Sequence, residues 1–326
     1  MKFLLLTTTL GSFTRPDYLI QAIRGFGKGE VSAGRLEALY RKATRDVLRA
    51  QANAGIDIPT DGQLRWDDII TFFAGSARGF ELNGLIRFFD NNLYYRKPVC
   101  KGALVAEPVA VESYRIARRM NRSVKPVITG PFTLADLSEN KFYKSKREFV
   151  LALAELVGKE RTALEGEGAP LIQIDEPSLV NRRLSGEEWD IASEALEAAL
   201  KGAKAKIFLA TYFGSVRDAL PRLLDLPVFG IGIDCISVPE NEREVLARAK
   251  DFGEKSVGFG CIDARNTRME DAGKVAARAV RLCRRFPPEK VLLHPSAGLE
   301  FLPYTSSVAK LKLLAHAARL ARKEVS

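Results

Sequence analysis

Short apolar or β-branched runs recur along the chain at residues 3–9, 56–60, 124–129, 170–175, 205–211, 230–235, 255–261 and 290–294, each as long as a buried strand. Between them the apolar positions change to helical spacing. Phe149, Leu153, Leu156, Val157 and Leu164 share one face after the charged entry at 144–148. Buried strands alternating with amphipathic helices predict a parallel sheet, because each crossover returns the chain to the same end. Eight such units predict an α/β fold of the closed (β/α)8 TIM-barrel type rather than an open doubly wound sheet.

One stretch breaks the rhythm. Residues 83–105, with Asp90-Asn91-Asn92 between Phe88-Phe89 and Tyr94-Tyr95, predict a hairpin inserted after the second strand. There it would either supply aromatic and basic groups to a ligand or serve only as a packed lid. No low-complexity segment, linker or short repeat marks a boundary, so residues 1–326 are expected to form a single barrel domain.

A hydrophobic fraction of 46% suffices for a large core, and the ordinary charged fraction argues against disorder. The net charge of +10 is spread over both signs without a long basic run, which fits an anionic ligand or acidic partner better than nucleic acid. Four cysteines, Cys100, Cys235, Cys261 and Cys283, have no CxxC spacing and are too sparse for a disulfide framework, so a reducing cytoplasm is expected. The apolar start, Met1 to Leu6, is too short for a signal peptide, and no run is long enough to span a membrane.

Candidate chemistry gathers where strands end. Leu171-Ile172-Gln173-Ile174 runs into Asp175-Glu176-Pro177, which puts two acids at the end of a strand that in a parallel α/β protein faces the ligand crevice. The alternative is that one of them caps the following helix or pairs with an arginine. The other strand ends carry Leu10-Gly11-Ser12-Phe13, Asp61-Gly62-Gln63-Leu64-Arg65 and Thr129-Gly130-Pro131. Phosphate loops, GxSxG elbows, HExxH and GxGxxG turns are all missing, which removes the common phosphoryl-transfer and hydrolase plans. Of two histidines, His316 lies in an amphipathic terminal segment, whereas His294 follows a strand and is either an acid–base group or core packing.

These strand ends, together with QANAGIDIPTD at 51–61, VKPVITGPFT at 124–133, GCIDARN at 260–266 and GLEFLP at 298–303, resemble the cobalamin-independent methionine synthase family over nearly the whole chain. The resemblance implies a homocysteine pocket at Gly11, Ser12 and Asp175, with Gln63, Arg65 and Glu176 beside it. The family's third anchor, a glutamate, is Gln63 here. That exchange weakens a charge-assisted bond to an ammonium group into a neutral one.

The family's catalytic members hold zinc through a His and a Cys two residues apart after the fifth strand, a Glu after the sixth and a Cys after the eighth. The matching positions are Ala210, Tyr212, Asp234 and Ala297, and only Asp234 could coordinate. Cys235, adjacent to Asp234, should face the opposite side of its strand and is no substitute. Ala210-Thr211-Tyr212-Phe213 with Asp234 instead resembles the zinc-free amino-terminal barrel of the two-barrel enzymes. The implication is a chain that binds no cofactor itself and supports methyl transfer to homocysteine with a zinc-bearing homologous subunit. The methyl donor, folate or corrinoid, stays open, since the tryptophan that stacks on folate in catalytic barrels is Leu137 here. Two alternatives stand beside this reading: an autonomous metal-independent enzyme using Ser12, Gln63, Arg65, Asp175 and Glu176, and a small-molecule-binding regulatory barrel.

Overall fold

Strand and helix alternate through the structure, a computed structural model that describes residues 4–91 and 93–325. Among the described residues the strands are β1 (Leu6–Thr7), β2 (Arg78–Arg87), β3 (Tyr94–Val105), β4 (Val127–Thr129), β5 (Glu139–Asn140), β6 (Leu171–Asp175), β7 (Lys206–Thr211), β8 (Gly230–Asp234), β9 (Ser256–Ile262) and β10 (Val291–Pro295). Every expected apolar run but the second contains one of them. At 56–60 only a parallel bridge from Ile58 to Thr8 forms. The Asp57 carboxylate takes the Thr7 N–H at 2.8 Å, and Pro59 has no N–H to give, so a ladder cannot extend. β1 is shorter than expected for a related reason, because Leu5 turns out of extended backbone at a φ of +47°.

The chain forms two compact units, Met1–Arg65 with Ser113–Lys125 and Gly258–Ser326, and Trp66–Glu112 with Pro126–Val257. In the first, β1 pairs in parallel with β10, Leu6 opposite Leu292 and Thr7 opposite Leu293, and β9 follows β10. Helix Ala33–Ala54 starts at Ser32, whose hydroxyl accepts from Arg35 N–H, and buries Leu36, Val47 and Leu48. Helix Tyr304–Val325 is less of a surface element than its charge suggests. It buries Leu311, Leu314 and a stripe of alanines, leaving His316 outside. Near its end, Arg322 donates to the carbonyls of Leu4 and Leu5, both at 2.9 Å, and pairs with Asp57.

In the second unit β4, β6, β7 and β8 lie side by side in parallel, with Thr129 opposite Asp175 and Asp175 opposite Ala210. The strand ends therefore come level, which brings their following residues together. Helix Lys146–Gly166 opens on Ser145, which caps Glu148 N–H, and buries Phe149, Leu153, Val157 and Leu164, with Leu156 half-buried. β2 and β3 form an antiparallel ladder from Arg78 onward, earlier than residue 83, with β5 added beside β3. Asn92, part of the expected turn, lies outside the described residues. The ladder's tip is aromatic: Phe88 and Phe89 pack against Phe213, with ring centroids 6.3 and 5.7 Å away. Among the described residues no helix is long and apolar enough to cross a membrane.

Candidate functional site

Three loops meet in the first unit. Residues 10–13 follow β1, 61–65 follow the bridge at Ile58, and 296–300 follow β10. Asp61 begins a tight turn, its Oδ1 accepting the Gln63 N–H at 3.0 Å. The turn forces Gln63 to a φ of +51°, uncommon for a non-glycine residue and costing about 1–3 kcal/mol. The strained backbone drives the Gln63 side chain over Gly11. A Cβ on Gly11 would lie 2.8 Å from Gln63 Oε1, and the φ of +109° at Gly11 also requires glycine. Gln63 is 3% exposed, and both atoms of its amide are buried with no hydrogen-bond partner among the described residues.

The loop after β10 holds an acid that the sequence motif contains but does not single out. Glu300 lies near the Ser12 hydroxyl, both close to Gly298. Its Oε2 is buried and has no partner among the described residues. Burial pushes Glu300 up to about 7, opposed by its own backbone N–H and by Ser12. Gly298 leaves the room: a Cβ there would lie 2.2 Å from Glu300 Oε2 and 2.7 Å from Ser12 Oγ.

In the second unit Asp175 is buried at the end of β6. Gln173 Nε2 donates to its Oδ1 at 2.6 Å, and the Tyr212 hydroxyl donates to its Oδ2 at 3.1 Å. Both donors suit an ionised carboxylate and hold it in one orientation. Tyr212 is itself placed by Phe213, whose φ of +68° turns the chain after β7 and whose ring meets the tip of the β2–β3 ladder. The aromatic hairpin residues thus act on Asp175 through Phe213 and Tyr212. Tyr95 is spent on packing, its hydroxyl donating to the Leu137 carbonyl.

Two of the expected binding residues, Glu176 and Arg65, have protein partners of their own. Glu176 turns to the start of helix Pro131–Asp136, where it accepts from Phe132 N–H at 2.9 Å, Thr133 N–H at 2.7 Å and Thr133 Oγ1 at 2.6 Å. The carboxylate satisfies the orphan donors of that turn, so Glu176 caps a helix, though one that precedes it in the chain rather than the following one. A Cβ on Gly130 would lie 2.1 Å from Glu176 Oε1, so glycine is required there. Arg65 forms a two-pronged ion pair with Glu37, at 2.7 and 2.8 Å, and stacks on Tyr40. His294 is core packing: it is fully buried, its Nδ1 bonds the Pro295 carbonyl at 2.7 Å, and burial pushes it down to about 4.

Comparison with known proteins gives this geometry a context. Residues 5–320 match the family model described as "Cobalamin-independent synthase, Catalytic domain". The chain is 32% identical over 326 residues to a methionine synthase of Saccharolobus solfataricus, covering 99% of this chain and 96% of that protein. It is 34% identical to a methionine synthase of Saccharolobus islandicus, with the same coverage. The chain belongs to the cobalamin-independent methionine synthase family. Among solved structures, a B12-independent methionine synthase from Shewanella sp. W3-18-1 in complex with selenomethionine matches with a TM-score of 0.85 at 23% identity, over 99% of both chains. The fold is accordingly the α/β TIM barrel.

Against the zinc site that the methionine synthase family implies, the residues at the matching positions do not fit. Ala210 and Ala297 are buried and carry no donor atom. Tyr212 directs its hydroxyl to Asp175, and Asp234 Oδ1 accepts from Ile236 and Ser237 N–H at 3.0 and 2.9 Å, closing a turn of its own. Cys235 and Cys261 are buried, and burial pushes the Cys261 thiol up to about 12, far from a ready thiolate. Among the described residues no group of three or more His, Cys, Asp and Glu could hold a metal ion.

Proposed function

We propose that this chain serves methyl transfer in methionine biosynthesis by binding homocysteine through its amino-acid end, acting with a zinc-bearing homologous chain that activates the thiol. The observation that carries this reading is an asymmetry. Polar side chains stand at Ser12 in the first unit and at Asp175, held by Gln173 and Tyr212, in the second, whereas the matching metal positions hold two alanines, a tyrosine already bonded and an aspartate closing its own turn. A free thiol with a pKa of about 8.5 is only a few per cent ionised at neutral pH, so the nucleophile needs help that this chain's residues do not offer. Its own residues instead hold and orient: Asp175, fixed by Gln173 and Tyr212, and Ser12, beside the amide of Gln63.

A second reading has an observation of its own. The Saccharolobus methionine synthases are matched almost end to end, so relatives of this length carry that name without a second barrel in the same chain. On that reading the chain is an autonomous enzyme, with no zinc-bearing partner.

Methyl transfer assayed with the chain alone, with a zinc-bearing homologue alone and with both together separates the two readings. Cooperation predicts activity in the mixture well above the sum of the parts. Turnover by the isolated, metal-free chain would establish the autonomous reading and overturn the cooperative one. Binding of L-homocysteine or L-methionine with no turnover in any mixture would leave a regulatory barrel. Near-stoichiometric zinc in the purified chain would refute the argument from missing donors.

A further inference from the structure

The pocket of the first unit contains more unmet hydrogen-bonding capacity than a folded core tolerates. A buried donor or acceptor left unsatisfied costs about 1–3 kcal/mol, so such groups point to a missing partner. Here the Gln63 amide contributes one orphan acceptor and one orphan donor, and Glu300 contributes a buried carboxylate oxygen. Both side chains flank the Gly11-Ser12 segment, Gln63 lying against Gly11 and Glu300 lying near Ser12 across Gly298. Gln63 is held there by a strained backbone, which a merely space-filling residue would not need. Among the described residues no lysine or arginine pairs with Glu300.

We infer that Glu300 receives the cationic group of the ligand, with the Gln63 side-chain carbonyl as second acceptor and Ser12 holding the carboxylate in place. The ligand class is a primary ammonium carried by an amino acid. An ammonium brings up to three donors in a compact head, matching the two orphan acceptors, while the Gln63 amide N–H₂ remains for the ligand's carboxylate. A divalent ion is a poor fit, because calcium takes six to eight oxygens and magnesium six in near-octahedral array. An anion alone would meet the Glu300 carboxylate unfavourably. The acid at residue 300 thereby restores, from a different loop, the negative charge that residue 63 does not provide. The raised Glu300 value is what a buried acid shows when its counter-cation is the ligand.

The inference rests on reading the pocket as an amino-acid site, and the test keeps the two apart. Isothermal titration with L-methionine is compared with titration by its analogue lacking the amino group, for the wild type, E300Q and the double variant Q63E/E300Q, with melting curves for each. E300Q is expected to weaken L-methionine at least tenfold, about 1.4 kcal/mol, and to leave the des-amino analogue within about threefold. Q63E/E300Q returns the charge to the same pocket and is expected to recover most of the lost affinity, so it carries the test if E300Q is unstable. Undiminished L-methionine binding by a folded E300Q, or equal losses for both ligands, overturns the role of Glu300 while leaving the amino-acid site intact. A wild type that binds neither L-methionine nor L-homocysteine refutes the amino-acid reading, and this inference with it.

Discussion

Asp175 and Glu300 are both buried acids, yet their surroundings set them apart. Asp175 is oriented by an amide and a phenol, so replacing it with asparagine keeps the shape and removes the charge. Asp175→Asn is expected to lower affinity for L-methionine about tenfold or more, with a melting temperature within a few degrees of the wild type. Calorimetry and thermal melting check the two halves separately. For Glu300 the consequence is a pH dependence of stability. Its folded value, about 7, lies above the ordinary 4.5, so the folded chain holds its proton longer than the unfolded chain does. Stability from this group is complete below about 4.5 and is lost as pH rises through about 7. His294, pushed down to about 4, acts oppositely, its contribution being lost as pH falls from 6.5 through 4. The wild-type curve mixes the two, and the difference between wild type and E300Q isolates Glu300. That difference is expected to shift in favour of E300Q between pH 4.5 and 7 in ligand-free chemical denaturation.

At the scale of elements, acidic side chains hold the strand-end loops together. Glu176 organises the first turn of helix Pro131–Asp136 by accepting three hydrogen bonds, and its carboxyl is pushed up to about 7 by burial, against the pull of those donors. Glu176→Gln turns an N–H₂ toward backbone N–H groups. The expected cost is about 1–3 kcal/mol in urea unfolding, with the other strand-end residues still able to bind ligand. The loop after β9 is held from the opposite side. Lys310, fully buried on helix Tyr304–Val325, donates to both oxygens of Glu270 at 2.8 and 2.9 Å and to the Arg268 carbonyl. Glu270 in turn accepts the Asp263 N–H. Lys310→Met leaves the Glu270 charge without its partner, and a loss of about 3–5 kcal/mol is expected from equilibrium unfolding.

Across the whole molecule, the periodic features were the legible ones. Short continuous apolar runs located the strands of the barrel, and 3.6-residue spacing the core face of helix Lys146–Gly166, because burial imposes both. The second strand was not legible: Asp57 and Pro59 sit inside an apolar run, and hydrogen bonding rather than hydropathy decides that segment. The family showed in the order of its strand-end motifs. The division of labour between Asp175 and Glu176 did not, since adjacent residues on a strand diverge and only the position of helix Pro131–Asp136 says which one caps it. Glu300 escaped notice because a glutamate five residues past a strand reads as a surface charge until its burial is known.

Arg322 ties Leu4 and Leu5, 318 and 317 residues earlier, and Asp57, 265 residues earlier, to the last helix. On a ribosome adding about 5–20 residues each second, the first sixty-five residues must wait for the distant parts of their own unit while all of the other unit emerges. Nascent β1 and the pocket loop behind it therefore spend seconds without their partner strand. Arrested chains ending at residue 258 should protect the interior unit from protease while residues 4–65 are still cut. Synthesis order makes the loop cluster around Gly11 and Ser12 one of the last parts of the molecule to exist.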